Sequence, residues 1–173
     1  MSDIFNNVSE DRDPITKLLA KIPGFKGYIE REDRRMSDKL LREIIAKEYE
    51  AQYQRISSVQ RELISHGGLA YLDDIENAAI KLRQFIDRVK TASYGYAGLF
   101  DAIKINAEEL TAIYQYDLTL LEHVNVVSSA IDNVESSIGT DGLPASIRHL
   151  ISTSQEVLDA FNKRSDALKG IAL

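Results

Sequence analysis

Apolar and small residues recur at steps of four and three through two long stretches of the chain. Ile75, Ala79, Leu82, Ile86, Val89, Ser93, Tyr96, Phe100 and Ile103 share one helical stripe, because a turn of 3.6 residues returns to the same face at those intervals. A second stripe runs through Leu110, Tyr114, Asp117, Leu121, Val124, Ser128, Ile131, Glu135 and Ile138, and Ile113, Leu120, Val127 and Val134 widen it. A face that broad suits a bundle interior better than a two-stranded seam. Asn106 and Glu109 have the spacing of a capping box ahead of this stripe, and Gly139, Thr140, Asp141 and Gly142 end it.

The spacing predicts a last helix opening at Leu143-Pro144. Ile147, Leu150, Ile151, Val157, Leu158, Phe161 and Leu168 form its apolar face, interrupted by Ser154 and Ser165. An earlier helix is expected from about Glu32 to Ser65, closed by Gly67-Gly68, with Met36, Leu40, Leu41, Ile44, Ile45, Ile56, Val59 and Leu63 inward. Its centre, Glu48 to Arg55, is weakly apolar apart from two tyrosines. Short connections force consecutive helices to alternate in direction. A helix of about 30 residues is roughly 45 Å long. The expected fold is therefore all-α, an elongated up-and-down four-helix bundle over residues 30–173, preceded by an arm over residues 1–29 with a short amphipathic helix.

Asp13-Pro14 can open that short helix. Ile15, Leu18, Leu19 and Ile22 then form one face, and Phe25, Tyr28 and Ile29 follow. Such an arm either seals one end of the bundle or meets a protein partner or an anionic membrane surface. From Lys17 to Lys47 there are nine basic and five acidic residues. Arg31, Arg35, Lys39 and Arg42 repeat at four, four and three, a face able to hold phosphate groups or an acidic partner. The one-turn pairs Glu30/Arg34, Asp38/Arg42 and Glu43/Lys47 favour an ordinary ion-laced, solvated face instead. The candidate interaction surface comprises Ile15, Leu18, Leu19, Phe25, Tyr28, Arg31, Arg35, Lys39 and Arg42.

Composition excludes more than it assigns. With 21 Lys plus Arg against 27 Asp plus Glu, the formal charge of −6 disfavours a broad nucleic-acid interface. The absence of cysteine removes disulfides and thiolate metal sites. Met1 to Ser9 has no secretory pattern and no stretch has the apolar length of a membrane span, so a cytoplasmic setting is expected. Partners are expected to be another protein or a second copy, with an anionic membrane as alternative and no nucleic acid.

Pro23, Gly24, Gly27, Tyr28, Arg34, Arg35, Asp38, Lys39, Leu41 and Arg42, with Tyr94, Gly95, Tyr96, Gly98, Leu99, Phe100 and Asp101, carry a resemblance. The stretches Ile22 to Glu43 and Tyr71 to Leu110, 62 of 173 residues, resemble a family of small all-helical bacterial proteins of uncharacterised function. The resemblance implies a bacterial origin and a helical fold, and no reaction or ligand.

Candidate chemistry is sparse. His66, His123 and His149 are preceded three positions earlier by Leu63, Leu120 and Ser146, so the Glu-x-x-His pairs of a helical di-metal site are missing. No cofactor or catalytic residue is expected, and the expected class is a non-enzymatic interaction or scaffold protein. A small-ligand or metal-dependent helical protein is the alternative. Gly95 and Gly98 lower helix propensity by roughly 0.5 to 1 kcal/mol each relative to alanine; close approach of a neighbouring helix, or a π-bulge opening a pocket, would explain them. Asp117 on an apolar stripe needs a buried partner. Tyr94, Tyr96 and Tyr114 complete the candidate internal polar site, as a bond that fixes helix register or as the wall of a small-ligand pocket.

Overall fold

A computed structural model describes residues 14–31, 34–102 and 106–171, with the backbone alone described for 34, 35, 93–102, 107 and 171. Four long helices form the body: α3 (Arg34–Ser65), α4 (Leu72–Ala102), α5 (Ala107–Ser137) and α6 (Leu143–Ile171). Among the described residues two short ones precede them, α1 (Pro14–Lys21) and α2 (Phe25–Glu30). The fold is an elongated helical bundle with short N-terminal helices. α1 packs on α5, and α2 packs on α3.

The boundaries have local causes. Asn106 accepts a bond from the Glu109 amide at 2.8 Å, and the Glu109 carboxylate accepts one from the Asn106 amide at 2.9 Å, which satisfies two amides that α5 leaves free. Gly67 has φ +76° and Gly139 φ +79°, a left-handed conformation that glycine adopts without cost as it ends α3 and α5. α4 continues as α-helix through Gly95 and Gly98. The surroundings of these glycines, and the side chains of Ser93, Tyr94, Tyr96 and Phe100, lie outside the described residues, as does Ile103.

The interior has two apolar clusters. The larger runs along the bundle from Ile45, Ile56 and Leu63 on α3 to Phe85 on α4, Val127 on α5 and Phe161 on α6. The smaller joins Ile15, Leu18, Ile22 and Phe25 of the arm to Leu41, Leu110, Ile113, Tyr114, Leu118 and Leu168. Apolar burial is worth about 1.5 to 3 kcal/mol for each large side chain, so four buried arm residues are a substantial reason for the arm to dock.

Several expected positions differ. Met36 is exposed at 37%, because Ser37, Asp38, Leu41 and Arg42 take the inward positions of that end of α3. Leu40 and Ile44 are half-buried rather than central. Ser154 and Ser165 do not break the α6 face; both are buried, and Ser154 Oγ donates to the Leu150 carbonyl at 2.8 Å. The weakly apolar centre of α3 is held by Tyr49, fully buried, whose hydroxyl donates to the Leu120 carbonyl at 2.6 Å and whose ring meets Phe85 edge-on at 4.6 Å.

Candidate functional site

Asp117 occupies the interior at 0% exposure, and its guanidinium partner comes from α6. Arg164 Nε donates to Asp117 Oδ1 at 2.6 Å, and Nη2 lies 3.3 Å from Asp117 Oδ2. The same Nη2 donates to Asp38 Oδ1 on α3 at 2.6 Å. Asp38 Oδ2 in turn accepts from Arg42 Nε at 2.8 Å, and Arg42 Nη1 reaches the Val89 carbonyl of α4 at 3.4 Å. One chain of charge-assisted bonds thus ties all four long helices together. Two carboxylates balance two guanidinium groups, which is the condition for keeping ions in a low-dielectric interior.

The pattern explains the placement. Leu41 lies between Asp38 and Arg42 on α3, Tyr114 and Leu118 flank Asp117 on α5, and Leu168 follows Arg164 by one turn on α6. The ionic layer therefore sits among the residues that receive the arm. Burial pushes the Asp117 carboxyl above its ordinary range, opposed by the Arg164 charge and its hydrogen bond. Burial also works against the Arg164 cation, but Asp117 and Asp38 outweigh it and raise that group. Arg164 faces two carboxylates, whereas Asp117 feels Asp38 beyond its single contacting cation. Arg164 is charged, and its Nε and Nη2 both point at Asp117 oxygens, an arrangement that suits a carboxylate. Arg164 Nη1 is buried with no hydrogen-bond partner among the described residues.

The remaining candidate residues disperse. Tyr114 is buried, edge-on to Phe25 with ring centroids 5.7 Å apart, so it joins the arm to the bundle. The Tyr94 and Tyr96 side chains lie outside the described residues. Ile15, Leu18 and Phe25 are buried against the bundle rather than displayed, because they supply its end cluster; Leu19 is half-buried. Arg42 also lies inside, so the expected basic face is broken. Lys39 is exposed opposite Glu43 at 3.8 Å, Arg31 lies over the Tyr28 ring at 5.1 Å, and the Arg35 side chain is outside the described residues. The apolar pattern of the chain does not by itself single out Arg164. Its position three residues after Phe161 and four before Leu168 was the available signal.

Among the described residues, two open clefts lie on the sides of the rod. One, about 530 Å³, is lined by Lys47, Glu50, Tyr53, Arg83 and Lys90 between α3 and α4. Its charges are engaged locally, Lys90 with Glu50 and Arg83 over the Tyr53 ring at 4.9 Å. The other, about 640 Å³, lies between α5 and α6 and is lined by Tyr116, Thr119, His123, Glu156, Asp159 and Lys163. His123 Nε2 is 3.5 Å from Glu156 there. Among the described residues no three His, Asp or Glu side chains are arranged to hold a metal ion, and no helix is long and apolar enough to cross a membrane. No family model, no curated protein and no solved structure matches the chain.

Proposed function

We propose that the protein is a non-enzymatic helical interaction or scaffold protein. The observation that carries this reading is the contrast between interior and surface. The buried charges Asp38, Arg42, Asp117 and Arg164 are engaged with one another, while two large apolar side chains at one turn, Ile64 at 53% and Leu69 at 63% exposure, are left in water. Such side chains gain free energy when a partner covers them. Photo-crosslinking groups placed at Leu69 and, as control, at buried Val127 test the reading in cells expressing the protein. Discrete protein adducts from Leu69 alone are expected. A stoichiometric small molecule or metal, detected by native mass measurement and elemental analysis of the purified protein, would overturn it in favour of a ligand-binding role.

A second reading, contact with an anionic membrane, draws on Lys17 and Lys21, which are exposed on α1 and make no ion pair among the described residues. With the apolar arm residues turned inward, this contact is electrostatic and salt-sensitive. Flotation with anionic vesicles, lost on replacing Lys17, Lys21 and Lys26 by glutamine, is its expected signature. Equal flotation with neutral vesicles would count against it.

A further inference from the structure

A layer of charge marks the boundary between the two apolar clusters. On α3, Arg42 falls between Leu41 of the end cluster and Ile45 of the main one, and on α6, Arg164 falls between Phe161 of the main cluster and Leu168 of the end cluster. On α5, Asp117 adjoins the step from Leu118 in the end cluster to Leu120 in the main one. Arg42 also reaches the Val89 carbonyl on α4, so the layer crosses the bundle. The arm lies on one side of it. Ile15, Leu18, Ile22 and Phe25 belong to the end cluster, and among the described residues no arm residue packs on the main cluster.

Release of the arm therefore disturbs only one side of the layer. It uncovers apolar side chains of the end cluster, which opposes release, and frees the backbone of residues 14–31, which favours it. The ions shift this balance toward opening. Ser37 and Asp38, where α2 packs on α3, are 0% and 5% exposed, and buried charges have given up hydration that water restores when the cover leaves. The Arg164–Asp117 and Arg42–Asp38 bonds are made within the four long helices, so they persist after release. An apolar layer at the same place would lose free energy by that exposure. The arm also has little hold of its own, because α1 has 8 residues and α2 has 6, too short to stay helical alone in water. Gly24, at φ +85°, breaks the helix between them.

We infer that α1 and α2 form a latch that opens as a unit while the four long helices stay folded, and that the ionic layer eases this opening. Native-state amide exchange of the full chain tests it. The Ile22 amide, bonded to the Leu18 carbonyl at 2.9 Å, and the Arg31 amide, bonded to the Gly27 carbonyl at 3.3 Å, report on the arm, and α4 amides around Phe85 report on the bundle. The arm amides should exchange about a hundredfold faster than those of the bundle, or more. Phe85→Ala, beyond the layer, should speed the bundle amides and leave Ile22 and Arg31 unchanged. Arg164→Met with Asp117→Leu leaves the Asp38–Arg42 pair balanced and puts apolar groups in the layer, so it should slow arm exchange about tenfold. Trypsin acting on the folded parent gives a readout that needs no variant. It should cut first after Lys17, Lys21 or Lys26, all exposed, and leave the long helices intact by circular dichroism. Arm and bundle amides that exchange together, arm exchange no slower in the double variant than in the parent, or first cuts within the long helices would each overturn the inference.

Discussion

Arg164 contacts both buried carboxylates, Asp117 and Asp38. Its removal leaves Asp117 buried without its contacting cation and strips one bond from Asp38. Breaking a buried pair costs about 3 to 5 kcal/mol, whereas replacing both partners by apolar groups is often neutral. Arg164→Met should therefore lower the urea midpoint strongly, and Arg164→Met with Asp117→Leu should recover much of the loss. A double variant no more stable than the single one would show that the pair contributes more than mutual neutralisation.

At the scale of an element, the arm and the α5 cap are the clearest cases. Leu18 is fully buried in the end cluster, so Leu18→Asp should lower the melting temperature. It loses about 1.5 to 3 kcal/mol of apolar burial and sets a carboxylate where no water reaches. An unchanged melting temperature would mean that the arm stands free in solution. Asn106→Ala removes the side chain that accepts the Glu109 amide and should cost about 0.5 to 2 kcal/mol in chemical unfolding. Much of this was legible in the chain. Asn106, Glu109, Gly67 and Gly139 act through neighbours a few residues away, so their spacing already states their role. Helix α2 is less apparent, since Phe25, Tyr28 and Ile29 are too few to establish a period alone; docking of Phe25 on Tyr114 gives that turn its buried side.

For the whole molecule, the aromatic contacts at the middle of the bundle join three helices. Phe85 meets Tyr49 at 4.6 Å and Phe161 at 5.7 Å, each edge-on. Phe85→Ala should destabilise by about 3 to 5 kcal/mol, and amide exchange should then quicken on α3, α4 and α6 together. Acceleration confined to α4 would show that the helices do not unfold as one unit. Leu18→Asp should instead quicken exchange first in α1, α2 and the first turns of α5, because its cluster is separate from the main one.

Periodicity by itself determined the four long helices, their order, the inward face of α4 from Ile75 to Val89, the broad face of α5 and most of the face of α6, because a helix's face is a property of spacing along one chain. It also marked Asp117 as an inward carboxylate in need of a partner. Only the tertiary structure decided which partner. Arg164 is 47 residues away, and a polar residue on an inward face reads the same in sequence whether a distant charge balances it or not. The same limit applies to the arm: Ile15, Leu18 and Phe25 form an amphipathic face whether it is docked or displayed, and its burial depends on Leu41, Leu110, Tyr114 and Leu168 converging from three other helices to receive it.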